Sequence, residues 1–342
     1  MLRLPACPPA RSRLARLEYS RPMSTGASVK TSTRIPAGEA AAYGPVGRSP
    51  WLDVDWRRHQ RWVEVDGQPV NTIELGPERA GVRDTASQPL VFVHGLSGCW
   101  SNWLEQLPVL AGEHRVITLD LPGFGYSPMP TERISISGYA RLLDRLLGEL
   151  GIDAAAVVGN SMGGFIAAEL AIAFPQRVER LVLISAAGVS TTNHPGSTRA
   201  VPVLTRLSPA LTAGAAWVAA NSSALAGRAR LRDALLNVVV RHPSRLPAAL
   251  AAEQLRGAGK PGFLQGLEAV LHYDVRERLP EIACPTLIVW GEGDRLIPVR
   301  DADVFAELIP DSRKVIFEDT GHMAMLERPA AFNALLKDFL AE

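Results

Sequence analysis

Six short runs of almost unbroken apolar residues, spread along one chain, set the strongest limit on how it can fold. They lie at 90–93 (LVFV), 116–119 (VITL), 155–158 (AAVV), 181–184 (LVLI), 286–290 (TLIVW) and 315–317 (VIF). A strand with one wet face alternates apolar and polar residues. These runs do not, so each predicts a strand covered on both faces, as in a parallel sheet. Helical stretches lie between them. Residues 136–150 carry Tyr139, Leu142, Leu143, Leu146, Leu147 and Leu150 on one face at helical spacing. Residues 161–173 are rich in Ala and Leu, and 329–340 opens with Pro329, a residue suited to a first helical turn. Upstream, residues 61–66 and 70–75 read as a hairpin turning at Gly67. The alternation predicts an α/β fold, with a mostly parallel central sheet and helices on both faces.

The alternation stops between residues 187 and 278. That stretch is rich in Ala, Leu and Arg and contains several prolines. It reads as a helical cap inserted after the sixth main strand, leaving 46–186 and 279–342 as the core. Residues 1–45 are expected to form a disordered tail. The first 35 residues hold seven basic side chains against the single acid Glu18 and lack the apolar stretch of a secretory signal. Their Arg- and Ser-rich composition also suits a transit peptide, and Met23 is an alternative start. The expected compartment is the cytoplasm, with a transit peptide left open.

Composition excludes several function classes. The 36 basic and 35 acidic residues give a net charge of +1, too balanced for a general nucleic-acid binder. No apolar run is long enough to span a bilayer, so no stable membrane insertion is expected. Cys7, Cys99 and Cys284 show neither CxxC nor Cys/His ligand spacing, which argues against a disulfide framework or a zinc site. No oligomeric state is read from the sequence.

The chemistry centres on Gly159-Asn160-Ser161-Met162-Gly163-Gly164, which follows a strand and opens a helix. A strand-to-helix turn this sharp forces unusual backbone angles on the serine, and small residues two before and two after it avoid a clash. It lifts the Ser161 hydroxyl clear of the sheet. It also aims the Met162 backbone N–H at a developing oxyanion, at the positive end of a helix. A serine nucleophile needs a base, and histidine suits that task near neutral pH. Of seven histidines, His322 sits in Glu318-Asp319-Thr320-Gly321-His322-Met323, between the last strand and the last helix. Loops at the carboxyl ends of parallel strands share one edge, so Ser161 and His322 can meet there. The base needs an acid to fix its tautomer. Asp294, in Trp290-Gly291-Glu292-Gly293-Asp294, is the candidate acid, with Glu292 its close rival in the same loop, and the choice of Asp294 rests partly on the family resemblance given next; Asp319 reads as a turn former.

Val91-Phe92-Val93-His94-Gly95, Asp120-Leu121-Pro122-Gly123-Phe124-Gly125-Tyr126-Ser127, the Ser161 turn, the Asp294 loop and Gly321-His322, in that order from about residue 60 to the end, resemble the α/β-hydrolase superfamily. The resemblance implies a catalytic Ser161–Asp294–His322 triad and a second oxyanion donor, the Leu96 backbone N–H. It makes His94 structural, lets Asp120 and Gly123 shape a neighbouring loop, and makes the insertion a cap over the site. It implies no metal or organic cofactor.

Serine at the turn points to an acyl-enzyme formed from a carboxylic ester or related acyl bond of a small-molecule substrate. It argues against the alkyl-enzyme chemistry of relatives with Asp there. The Asn160–Gly164 run also resembles carbon–carbon bond hydrolases of aromatic meta-cleavage pathways. Two departures weigh against that: Leu96-Ser97-Gly98 where those enzymes tend to have Gly-Pro-Gly, and Met323 where they tend to have Trp. Cofactorless haloperoxidases share the same triad. A non-catalytic ligand-binding protein on the same fold is the remaining reading; its usual sign, a damaged triad, is missing here. Within 187–278, ten Arg and one Lys stand against five acids, which reads first as solvated helix faces, with a preference for an anionic substrate as the alternative. The apolar stretch 209–220, with Trp217, reads first as packing against the main sheet, with a pocket wall or contact with a lipid surface as alternatives; it is too short to span a membrane. Trp100 and Trp103 read as core or pocket flank.

Overall fold

A computed structural model describes residues 30–38, 41–79, 82–83, 88–191 and 213–342. Nine strands form one sheet: β1 (Thr31–Ile35), β2 (Gln60–Val65), β3 (Gln68–Leu75), β4 (Pro89–Val93), β5 (Arg115–Leu119), β6 (Ala155–Asn160), β7 (Val178–Ile184), β8 (Thr286–Gly291) and β9 (Ser312–Phe317). Their spatial order is β1-β9-β8-β7-β6-β4-β5-β3-β2. Only β3 runs against its neighbours, pairing antiparallel with both β2 and β5. The six dense apolar runs are six of these strands. In β4, Leu90 and Phe92 face one core layer while Val91 and Val93 face the other, and all four are buried. The β2–β3 hairpin turns through Asp66 (φ 50°) and Gly67 (φ 78°). Asp-Gly is favoured where both central residues of a two-residue loop need positive φ.

Helices cover both faces. α1 (Ile136–Glu149) and α2 (Met162–Ala173) lie on one, and α8 (Pro329–Leu340) on the other. The Ser135 hydroxyl caps α1 by accepting from the Gly138 N–H at 3.1 Å, satisfying one of the helix's orphan donors. Every residue of α2 except its last is buried. That explains its composition: a helix packed on all sides has no polar face to keep.

Between β7 and β8 the described residues contain helices and turns but no strand: α3 (Ser222–Ala226), α4 (Ala229–Leu236), α5 (Ala248–Arg256) and α6 (Phe263–His272). α7 (Arg300–Leu308) follows β8. Part of the expected 209–220 stretch lies outside the described residues, and Trp217 is 59% exposed. α5 and α6 dock onto the loops that leave β4 and β5. Asn102 Nδ2 donates to Gln254 Oε1 (2.6 Å) and the Gly262 N–H donates to the Gly123 carbonyl (2.9 Å). Glycines permit the approach: a Cβ on Gly257 would collide with the Ser97 carbonyl, and one on Gly262 would lie 2.8 Å from the Gly123 carbonyl oxygen.

The chain joins the fold earlier than expected. Thr31–Ile35 pairs in parallel with Arg313–Phe317 as an edge strand. Tyr43 and Trp51 then reach buried carboxylates, donating to Glu327 (2.8 Å) and Glu105 (2.8 Å). The expectation of a tail running to residue 45 is therefore corrected for residues 30–38 and 41–45. Its reading was compositional, and strand β1 carries only one buried residue. Residues 1–29 lie outside the described residues.

Strand order sets the site. The chain leaves β4 for β5 on one side and returns to β6 on the other, so β4 and β6 flank a topological switch point. Ligands of open α/β sheets bind in the crevice at the carboxyl ends of such strands.

Gly257→Ala tests the docking of α5. The new methyl meets backbone, which cannot swing aside, so a loss of about 1–3 kcal/mol is expected. Urea denaturation should show a lower midpoint, and an unchanged midpoint would mean that the insertion does not press on the Ser97 turn.

Candidate active site

Four loops leave the carboxyl ends of β4, β6, β8 and β9, and each carries one of the residues singled out from the sequence. At the end of β6, Ser161 stands at φ 56°, ψ −118°. Such a backbone costs a non-glycine residue roughly 1–3 kcal/mol and persists only where neighbours over-determine it. Here they do. The Ser161 N–H donates to the Ile184 carbonyl (2.9 Å), and the Ser161 carbonyl accepts from Phe165 (3.1 Å) and Ala187 (3.1 Å). A Cβ on Gly159 would strike the Gly163 peptide, one on Gly163 would strike the Val93 carbonyl, and one on Gly164 would lie 2.8 Å from Ala186 Cβ. The glycine pattern is thus a steric requirement of the turn.

The β4 loop makes a tight turn beside it. The Gly98 N–H closes back on the Gly95 carbonyl (3.0 Å), with Ser97 at φ 62°. Closing the turn uses the Gly98 donor and not that of Leu96, a central residue of the turn. A Cβ on Gly95 would lie 3.0 Å from Ser161 Cβ, so this glycine lets the turn approach the serine. Met162 is the first residue of α2, where backbone N–H groups have no intrahelical acceptor.

His322 and Asp294 come together directly. Nδ1 of His322 lies 2.8 Å from Oδ2 of Asp294, with side chains 4% and 0% exposed. A carboxylate accepts only, so Nδ1 carries the proton and Nε2 is left with a lone pair. The other Asp294 oxygen, Oδ1, accepts from the Leu296 (2.8 Å) and Ile297 (3.0 Å) N–H groups, which fixes the carboxylate plane. A Cβ on Gly291 would strike the Gly321 carbonyl, so β8 ends hard against the His322 loop. Asn160 joins that loop to the serine turn: its Nδ2 donates to the Ile184 carbonyl (3.1 Å) and the His322 carbonyl (3.3 Å).

The rival groups have other partners. Glu292, half-exposed, accepts from Arg34 Nη1 at 2.8 Å. Asp319 binds His242 Nε2 at 2.7 Å. His94 is fully buried: Nδ1 contacts the Gly95 carbonyl (2.8 Å) and Nε2 accepts from the Leu121 N–H (3.0 Å). Burial also pushes its pKa below the ordinary histidine value. Asp120 accepts from Asn71 Nδ2, the Trp100 N–H and the Tyr126 N–H, each at 2.8 Å, and so shapes its loop. His194 lies outside the described residues. Burial pushes the Cys99 thiol up to about 12, far from a reactive thiolate. Trp103 is core, packed on Phe92, and half-buried Trp100 stacks on Trp56. Among the described residues no cluster of His, Cys, Asp and Glu is fit to hold a metal ion, and no helix is long and apolar enough to cross a membrane.

Sequence reasoning missed Asn160 as a tether and Glu327 altogether. Glu327 is fully buried and accepts from the N–H groups on both sides of His322. Its signal was an acid at the end of the apolar run Met323-Ala324-Met325-Leu326, where a charge has no reason to be solvated.

Comparison with known proteins identifies the family of the fold. A family model described as alpha/beta hydrolase fold matches residues 88–329. The chain is 32% identical over 300 residues to a 2-hydroxymuconate semialdehyde hydrolase of Pseudomonas sp. (strain CF600), covering 80% of this chain and 96% of that one. It is 33% identical over 283 residues to a dihydrolipoyllysine-residue acetyltransferase component of an acetoin cleaving system of Cupriavidus necator, covering 82% and 68%. Among solved structures it resembles an enol-lactonase from Burkholderia xenovorans LB400, with a TM-score of 0.63 and 25% identity over 82% of this chain and 100% of that one.

The two acids of the β8 loop should respond differently to substitution. Asp294→Ala leaves His322 Nδ1 and two loop amides without their acceptor, a loss of at least about 1–3 kcal/mol. Glu292→Gln breaks one exposed ion pair and should cost about 1 kcal/mol or less. Equal losses in chemical denaturation would mean that the buried Asp294 contacts hold the loop no more firmly than the exposed Glu292 pair does.

Proposed function

The chain belongs to the α/β-hydrolase fold family and is a hydrolase, and from that premise we propose that it cleaves a carboxylic ester or related acyl bond of a small, largely apolar molecule through an acyl-enzyme on Ser161. The observation that carries the reading is the buried His322–Asp294 pair at the same sheet edge as the strained serine turn. In the first step Ser161 Oγ attacks the substrate carbonyl while His322 Nε2 takes the hydroxyl proton. Asp294 keeps the Nδ1 tautomer and stabilises the imidazolium. The Leu96 and Met162 N–H groups receive the oxyanion, the second at a helix N-terminus whose dipole favours negative charge. The imidazolium then protonates the leaving group. In the second step His322 draws a proton from water, which attacks the acyl carbon; the imidazolium then returns that proton to Ser161 Oγ as the bond to the acyl carbon breaks, releasing the acid and restoring the free serine. No step calls on a cofactor.

The helical insertion serves as the cap. Its helix α6 faces the oxyanion side of the site: a Cβ on Gly266 would lie 2.9 Å from Leu96 Cδ1 and 3.5 Å from Met162 Sδ. Leu96, Phe124 and Met162 give that boundary an apolar character, which supports an apolar substrate.

A second reading has its own support. The relative matched over 96% of its length is named for hydrolysis of 2-hydroxymuconate semialdehyde. A carbon–carbon bond hydrolase would use the same edge on a vinylogous ketone, and the departures at Leu96-Ser97-Gly98 and Met323 weigh against it.

Purified protein assayed with p-nitrophenyl esters of increasing chain length and with 2-hydroxymuconate semialdehyde separates the two. Ester turnover with a short-to-medium optimum is expected. Ser161→Ala should remove nearly all turnover with the melting temperature kept, and Asp294→Asn should lower kcat by about 10⁴. Near-native turnover by Ser161→Ala would remove the serine from the mechanism, and turnover of the semialdehyde alone would favour the second reading.

A further inference from the structure

The peptide groups around His322 are held more tightly than a loop requires. The Gly321 N–H donates to both oxygens of Glu327 (3.0 and 2.9 Å), and the Met323 N–H donates to its Oε1 (3.2 Å). Between them, the His322 N–H donates to the Val239 carbonyl (3.1 Å), and the His322 carbonyl accepts from Asn160 Nδ2 (3.3 Å). Every backbone donor from Gly321 to Met323 is therefore spent on a partner outside the loop's own turn. One carboxylate takes both flanking donors.

That carboxylate also gathers the rest of the fold. Oε2 accepts from the Arg241 N–H (2.9 Å) and the Tyr43 hydroxyl (2.8 Å), and the Tyr43 oxygen in turn accepts from the His242 N–H (2.8 Å). The Glu327 carbonyl accepts from the Gly44 N–H at 2.7 Å. Three distant segments thus converge: residues 43–44, residues 239–242 of the insertion, and the loop of His322. A fully buried carboxylate met only by backbone amides and a phenol is a costly arrangement, because burial works against its charge. Glutamine would fill the same volume without that cost. It offers one acceptor oxygen and an NH₂, and the NH₂ would face an N–H donor. Two accepting oxygens are what this place demands.

We propose that Glu327 is a positioning residue for His322: it fixes the peptide groups on either side of the histidine, so that Nδ1 stays on Asp294 and Nε2 stays free to take the Ser161 proton. The inference rests on the serine-hydrolase reading for what the positioned ring does. The clamp itself is independent of any substrate. Glu327 touches no reacting atom, and its effect passes through the placement of the imidazole.

Glu327→Gln is the test, read in the full-length protein beside wild type and Tyr43→Phe. A p-nitrophenyl ester that wild type turns over supplies kcat and KM. The downfield proton resonance of the His322 Nδ1–H···Asp294 bond supplies a readout that needs no substrate. The expected result is a fall in kcat of about 10- to 100-fold with KM little changed, the scale expected of a small misplacement of a catalytic group. The downfield resonance should broaden or shift. Tyr43→Phe removes a partner of the same carboxylate but leaves both flanking amides bonded, so it should lose stability and keep kcat near wild type. Folded Glu327→Gln with unchanged kcat and an unchanged resonance would overturn the inference and leave Glu327 a structural group. If that variant does not fold, amide hydrogen exchange of wild type decides. Slow exchange at Gly321 and Met323 supports the clamp, and exchange at open-loop rates overturns it. Failure of the serine-hydrolase reading would look different: wild type would lack turnover while its resonance and exchange still reported the clamp.

Discussion

The structure depends on one strained residue being held in place. Ser161 sits at φ 56°, ψ −118° between a strand and a helix that are both buried. Nothing local favours that conformation, so its cost must be met by packing. β6 lies between β4 and β7 and supplies register on both sides, with Val93 opposite Gly159 and Ile184 opposite Asn160. α2 is then pressed so closely onto the β4 backbone that a single methyl at Gly163 cannot be accommodated. The same close approach brings the Gly95–Gly98 turn next to the serine. The strained Ser161 turn and the placement of the Leu96 and Met162 amides beside it are therefore consequences of one packing arrangement.

The second organising fact is how charge is distributed at the other two loops. Glu292, Asp294, Asp319 and Glu327 all lie within reach of the β8 and β9 ends, and they differ in burial and partner. Glu292 is half-exposed and pairs with Arg34 from β1. Asp319 is half-buried and pairs with His242. Asp294 and Glu327 are buried, one on the imidazole and the other on the backbone around it. Exposed pairs are worth little and tolerate change, whereas a buried carboxylate that loses its donors is left with its full desolvation penalty. The two buried acids are where a substitution should be felt.

Much of this was legible in the sequence. Dense apolar runs announced buried parallel strands because a strand with no wet face needs no polar residues. Gly159, Gly163 and Gly164 announced the turn because its sterics exclude side chains. His322 followed from loop position at a shared sheet edge, and Asp294 from its loop together with the family resemblance. Glu292 remained a rival in the sequence because spacing does not reveal burial, and the two acids differ in little else. Three features escaped. β1 is an edge strand with one buried residue, so no apolar pattern marked it. Tyr43 acts through a hydroxyl that meets Glu327 across 284 residues, a contact that no local pattern encodes. Asn160 and Glu327 act on backbone groups, and which backbone donors lack partners is visible only after folding.

The central claim is that Ser161 is an activated nucleophile. Reaction of the folded protein with a fluorophosphonate, followed by peptide mass spectrometry, tests it most directly. The account predicts a single phosphonyl adduct on the peptide that carries Ser161, blocked when His322 is replaced by alanine. Folded protein that stays unmodified, or an adduct mapped to another residue, would contradict it.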